Sequence, residues 1–296
     1  MQELVLPPDE SAKKLENYLR KNFPVGYVRK LFRKNAIRVN GQRAKADALV
    51  KHGDRIQIFI PFERQTASVT SPKTHAVELK ILFEDDQLLV IDKPAGIAVH
   101  EAQGILKRHS VIGIVEAKYK NNEVLPRLVH RLDKDTSGVL LLVKTEKAEE
   151  ALERLFKEGK AQKEYLCLVV GRLPQSEGKI DVPLPGREGS AVRAVTRFRV
   201  VKRYSETTLA RVNTDTGRMH QIRLHFAELG YPIVMDEQHG DFGFNKRFRK
   251  KFGLKRQFLH ASKLALNYGG KKYTWNAPLT PDLEQTVRRL SQGGNK

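Results

Sequence analysis

The 296-residue chain has one cysteine, Cys167. No intramolecular disulfide can therefore form, and the N-terminal MQELVLPPDES has neither the basic start nor the apolar stretch of a secretory signal. A reducing, cytoplasmic setting is expected. A single thiol excludes cysteine-rich zinc spacings, and the nine histidines contain no HExxH pairing, so no metal site is expected. Long apolar runs are missing too. The longest, Val139 to Val143 and Leu166 to Val170, fall far short of the roughly 20 residues that span a bilayer. With no lipidation motif either, no membrane partner is expected. There is no internal repeat and no GxxxxGK[ST] phosphate loop. Acidic residues are outnumbered: 34 Asp and Glu stand against 54 Lys and Arg, a formal charge of +20, while hydrophobic residues make up 40% of the chain. That composition describes a folded protein with an anionic partner, and nucleic acid fits it best.

The length suits a small module followed by a larger body. Over residues 11 to 34, Leu15, Tyr18 and Leu19, then Val25, Val28, Leu31 and Phe32, recur at helical spacing and predict two short helices. Ile37 and Val39 lead into Asn40-Gly41, a tight-turn pair, and a further strand is predicted over Arg55 to Ile60. Residues 1 to 60 hold 13 basic and 6 acidic residues, with Lys30, Arg33, Lys34 and Arg38 among the clustered cations. Such a cluster can be a solvated helix face or an RNA contact. Residues 61 to 78 carry two prolines and little periodicity, which predicts a linker. From 79 to 296, strands are expected at 79–84, 87–92, 139–144, 165–170, 192–201, 207–214 and 258–267. Helices are expected at 146–159 and from about Arg218 to Glu228. Strands without regular βαβ alternation predict an α+β fold with a mixed, largely antiparallel sheet.

The densest polar stretch, Leu128-Val-His-Arg-Leu-Asp-Lys-Asp-Thr-Ser-Gly138, runs straight into the apolar VLLLV. Asp133 and Asp135 can be mere turn formers there. His130 and Arg131 beside a carboxylate above a hydrophobic strand favour a working site, because such groups are costly unless paired or used. Thr216-Gly217-Arg218 before a helix offers free backbone N–H groups and a guanidinium to a phosphate. His220 and Arg223 follow on one helical stripe. Residues 244 to 256, FNKRFRKKFGLKR, hold seven basic and four apolar residues. They read either as a solvated loop or, the preferred reading, as an RNA clamp using Lys246, Arg247, Arg249 and Lys250.

HRLDKDTSG resembles the signature of the RluA family of pseudouridine synthases. VIDKPAGIAVH (90–100), KEYLCLVVG (163–171), TGRMHQIRLH (216–225) and FLHASKLAL (258–266) are similar to further family stretches in the same order. The likeness covers nearly the whole chain. The N-terminal order of helix, helix, VNG turn and HGDRI strand resembles the small αL RNA-binding domain named after a ribosomal protein. The family implies the pseudouridine synthase fold, no cofactor, Asp133 as catalytic carboxylate, Arg223 as its partner and Tyr165 stacked on a flipped uracil. Tyr165 can equally be a core strand tyrosine. Arg131 is implied as the residue that fills the space a flipped base leaves, with His130, Arg218 and His220 as further RNA contacts. Such a carboxylate must be ionised in a site dry enough for uracil: burial opposes ionisation, and a neighbouring arginine favours it. The module and the GDFGFNKRF stretch look most like the branch acting on large-subunit (23S) ribosomal RNA, with the chain working as a monomer. A tRNA enzyme of the family and a non-catalytic ribosome-assembly protein are the alternatives. A nuclease is disfavoured, since no carboxylate cluster for two metals accompanies Asp133. The sequence departs from the family at Met219, where a small polar residue is commoner, and at Met235-Asp236 and His239, where Gly-Asp and Tyr are usual.

Overall fold

The computed structural model describes residues 2–5, 12–23, 28, 31–32, 34–59, 78–101, 106–120, 125–186 and 190–292. The chain divides into two compact units, residues 1–76 and 77–296. Of the linker expected at 61–78, only Glu78 is among the described residues.

In the first unit, a four-stranded antiparallel sheet is built from β1 (Gln2–Val5), β2 (Ile37–Val39), β3 (Gln42–Arg43) and β4 (Arg55–Ile58), in the order β1-β4-β2-β3. Helix α1 (Leu15–Asn22) presents Leu15 and Leu19 to a core shared with Val28, Leu31, Ile37, Ile56 and Ile58. Asn40 and Gly41 turn β2 into β3 with φ of 50° and 83°, left-handed values that this pair tolerates. The Asn40 side chain also ties the turn to β4, accepting from the Arg55 N–H at 2.9 Å. Lys34 and Arg38 are exposed, and the Arg38 guanidinium lies 4.8 Å from the centre of the Phe59 ring. Lys30 and Arg33 lie outside the described residues.

The second unit is α+β around one ten-stranded mixed sheet. Its strands are β5 (Lys80–Glu84), β6 (Leu88–Lys93), β7 (Arg127–Leu128), β8 (Ser137–Val143), β9 (Gln162–Val170), β10 (Glu177–Ile180), β11 (Thr196–Arg203), β12 (Thr207–Thr214), β13 (Leu259–Tyr268) and β14 (Lys271–Asn276). The main path runs β10-β11-β12-β9-β13-β8-β6-β5, with β14 on β13 and β7 on β8. Every pairing is antiparallel except β8 with β13. Strand β8 is buried along its whole length because both faces are covered. Val139, Leu141 and Val143 pack with Ala148 and Leu152 of α3 (Glu146–Lys157), while Leu140 and Leu142 pack with Val111 and Val115 of α2 (Val111–Lys118). Thr145 caps α3 by accepting the Ala148 N–H at 3.2 Å.

Two local features aim the site. Gly138 has φ of 115°, and a Cβ there would overlap the carbonyl of Ala261, so only glycine lets β8 and β13 approach at the point where the polar 128–138 loop enters the sheet. The register of β9 on β13 then shifts between Glu164 and Tyr165. A bulge of this kind re-aims the side chains beside it.

Three further helices complete the unit: α4 (Gln221–Glu228), α5 (Phe242–Phe252) and α6 (Pro281–Gln292). The helix expected to begin at Arg218 begins at Gln221, because His220 has left-handed φ and ψ of 53° and 21° and breaks the helical run. The basic 244–256 stretch is mostly the capped helix α5, whose N-cap Asp241 accepts the Phe244 N–H at 2.8 Å. Phe244 and Phe248 are buried while Lys246, Arg247, Arg249 and Lys250 are exposed. No helix among the described residues is long and apolar enough to cross a membrane.

Candidate active site

The 128–138 loop, the β9 face carrying Lys163 and Tyr165, and the 216–223 segment enclose a cleft of about 690 Å³. Asp133 lines it with its side chain 18% exposed. The loop is held from below by Lys93, which is fully buried and donates to the carbonyls of Pro94, Ile97 and Lys134 at 2.8, 2.8 and 3.0 Å. Burial pulls the Lys93 ammonium down to about 7, against the attraction of Asp135 and Asp133. His130 also braces the loop. Its Nε2 accepts the Leu141 N–H at 2.9 Å, and its ring stacks on Phe156 at 4.6 Å. Burial, with Lys163 nearby, lowers its pKa to about 3, so the ring is neutral and committed to β8. His130, expected as an RNA contact, thus serves within the protein as a brace and also lines the cleft. Arg131 is exposed at the cleft and makes no hydrogen bond or ion pair among the described residues.

Arg223 reaches Asp133 from α4, with Nη1 donating to Oδ2 at 3.0 Å. The same guanidinium forks onto Asp236, with Nε to Oδ2 at 2.6 Å and Nη2 to Oδ1 at 2.8 Å, and Nη2 also meets Gln238 Oε1 at 2.9 Å. Arg223 is 5% exposed and Asp236 fully buried. Burial alone would raise the Asp236 pKa. The Arg223 fork and the N–H groups of His239 and Gln238 overcome it and hold this carboxyl below its usual range. Burial likewise opposes the Arg223 charge, and Asp236 and Asp133 outweigh it, so the guanidinium holds its proton more tightly than usual. Asp236 is fixed in turn by Asn245 of α5, which donates to the Asp236 carbonyl at 2.9 Å and accepts the Met235 N–H at 2.7 Å.

His220 Nε2 stands 3.9 Å from Asp133 Oδ1, and its Nδ1 lies 3.2 Å from His239 Nε2. Burial lowers the His220 pKa against the pull of Asp133. Arg218 is exposed on the rim, its Nε donating to the Arg193 carbonyl at 3.2 Å. The 216–220 turn is pinned by buried Gln221, whose Oε1 accepts from Thr216 Oγ1 at 2.6 Å and from the Arg218 N–H at 3.1 Å. Its Nε2 donates to the Val195 carbonyl and Thr196 Oγ1. Tyr165 is half-buried in the cleft, and burial, helped by the negative charge of Asp133, pushes its hydroxyl pKa well up. The phenol therefore stays protonated.

The structure thus gathers Asp133, Tyr165, Arg223, Arg131, Arg218 and His220 around one cleft. Lys246, Arg247, Arg249 and Lys250 lie on α5, outside the cleft lining. Sequence reasoning assigned no role to Asp236, Gln238, Gln221, Lys163 or Lys93. The signals for Asp236 were an acidic residue downstream of Arg223 and the Asp that the resembling family keeps at that position.

The RNA pseudouridylate synthase family model matches residues 87–228. Ribosomal large subunit pseudouridine synthase C of Vibrio cholerae is 34% identical over 303 residues, covering 96% of this chain and 95% of that protein. The Escherichia coli protein of the same name is 33% identical over 310 residues, covering 97% and 96%. Among solved structures, human RNA pseudouridylate synthase domain containing 4 superposes with a TM-score of 0.61 at 24% identity, over 72% of this chain and 93% of that one. Human RNA pseudouridylate synthase domain containing 1 gives 0.59 at 21%, over 74% and 95%.

Proposed function

The chain belongs to the RNA pseudouridylate synthase family, of the RluA type, and from that premise we propose that it isomerises uridines of large-subunit ribosomal RNA, with Asp133 as the reacting carboxylate and the target nucleotide flipped into the cleft. The observation that carries the chemistry is the shared guanidinium. Arg223 is neutralised mainly by the fork on Asp236 and spends one N–H on Asp133 Oδ2. Asp133 is oriented without being wholly masked, and Oδ1, 3.9 Å from the nearest His220 nitrogen, is left to react.

Isomerisation breaks the bond from ribose to the base nitrogen, turns the uracil and joins the ribose to a ring carbon. A carboxylate can attack the sugar or the ring, or stabilise and deprotonate a sugar-derived intermediate. Either course needs the free oxygen that Oδ1 offers. Tyr165, a protonated phenol on the cleft wall, suits stacking on uracil and donating to it. A uridine inside folded RNA must leave its stack first. Arg131, exposed and without a described partner, suits the space it leaves, and Arg218 suits the backbone. Support for ribosomal RNA comes from the names of the relatives and from the first unit, which carries 13 basic against 6 acidic residues over 1–60; we assign that unit to RNA binding, joined to the body by a linker at 61–78. We assign the exposed cations of α5, in the second unit, to RNA binding as well.

Replacing Asp133→Asn tests this reading. Affinity for a ribosomal RNA fragment is expected to stay within about threefold, since phosphate contacts dominate binding, while pseudouridine formation falls below detection. Turnover by the variant would contradict it.

A further inference from the structure

One cation in the cleft has no part in the chemistry above. Lys163 lies two residues before Tyr165 on β9, and the extra residue of the bulge between them, Ser262, belongs to β13, so both side chains leave β9 on one face, and both line the cleft with Asp133. Lys163 is 8% exposed. Its ammonium donates to the Thr216 carbonyl at 3.1 Å, and among the described residues no other hydrogen bond and no ion pair engages it. Asp215, the carboxylate that attracts it, is paired with Arg197 at 3.2 Å. Lys93 makes the contrast: fully buried, it places all its N–H groups on three backbone carbonyls.

A buried ammonium with two N–H groups to spare and no ion pair of its own costs several kcal/mol unless something else supplies an anion. Burial already loosens its proton, drawing the pKa to about 8. The group opens where Lys157 and Arg218 also line the cleft, and a Cβ placed on Gly217 would be 3.5 Å from Nζ. The absence of a side chain at Gly217 leaves room for a ligand against the 216–218 turn.

Resting on the RNA-isomerase reading, we infer that Lys163 and the 216–218 turn form a subsite for a phosphate oxygen of the target nucleotide or its neighbour. The ion pair missing within the protein is completed by the substrate, so the flipped nucleotide is held at its backbone while Asp133 and Tyr165 take the sugar and the base. Tying Nζ to the same turn that presents Arg218 makes the clamp rigid before RNA arrives.

The test uses the full chain, Lys163→Met and Lys163→Arg, with an RNA fragment carrying single methylphosphonates across the target uridine. Lys163→Met should weaken Kd about tenfold, as loss of a charged hydrogen bond does, and flatten the slope of log affinity against log salt by about 0.7. Lys163→Arg should restore most of both. One methylphosphonate should cost the natural protein that same affinity and cost Lys163→Met nothing. A loss confined to the single-turnover rate, with Kd, salt slope and methylphosphonate scan unchanged, would assign Lys163 to the uracil and overturn the phosphate subsite. Natural behaviour of Lys163→Met in every measurement would overturn it as well. If the natural protein binds but forms no pseudouridine, the isomerase reading fails, while the methylphosphonate scan still decides the contact.

Discussion

Arg223 divides one guanidinium between a fully buried carboxylate, Asp236, and a partly exposed one at the cleft, Asp133, and the division depends on Asp236. Replacing Asp236→Ala leaves the cation buried with Asp133 as its main counter-charge. Breaking such a buried pair costs roughly 3 to 5 kcal/mol, so denaturant unfolding should show a loss of that order. Activity of the folded fraction should fall with it, because Arg223 would close on Asp133 and mask it. Unchanged stability would show that the fork contributes little. At this scale HRLD and TGR were legible as polar loops beside apolar strands. What could not be read was which groups the fold would consume: His130 looks like a free donor in the sequence, yet its ring accepts from Leu141 and stacks on Phe156. The reverse holds for Lys163, which reads as one cation among many and is buried in the cleft.

At the scale of elements, the site depends on where two strands can touch. Gly138→Ala would force a Cβ into the Ala261 carbonyl at a left-handed φ, so β8 and β13 must part or the loop must move. A stability loss of roughly 3 kcal/mol or more is expected, seen as a lowered Tm. A variant as stable as the natural protein would mean that the strands have slack. The strands of the larger unit were legible because VLLLV and YLCLVV are apolar runs bounded by polar loops. Their order was not, since β13 joins β8 and β9 across more than 90 residues of chain. Helix α5 was hidden by its charge: read as cations, FNKRFRKKF suggests a clamp, but Phe244, Phe248 and Phe252 recur every four residues and give the stripe that packs. Helix α6 is marked in the sequence only by its start, where Pro281, Asp282 and Glu284 suit a first helical turn. The late start of α4 was beyond pattern reading, because nothing in a 3.6-residue period marks His220 as left-handed.

For the whole molecule, the proposed function divides the work between the charge of +20 and the cleft: on that proposal diffuse cations gather RNA and a few cleft groups act on one nucleotide. The first unit has its own core, from Leu15 to Ile58, and so can contribute binding energy as a separate module, raising avidity on an RNA large enough to reach both. That favours a large ribosomal target over a small hairpin. Mapping pseudouridines in total RNA from cells lacking the protein, and from the same cells supplied with the natural form or with Asp133→Asn, tests the account most directly. Large-subunit ribosomal RNA is predicted to lose specific pseudouridines that the natural protein restores and Asp133→Asn does not. Ribosomal RNA that keeps every pseudouridine while a tRNA loses one, or restoration by Asp133→Asn, would contradict it.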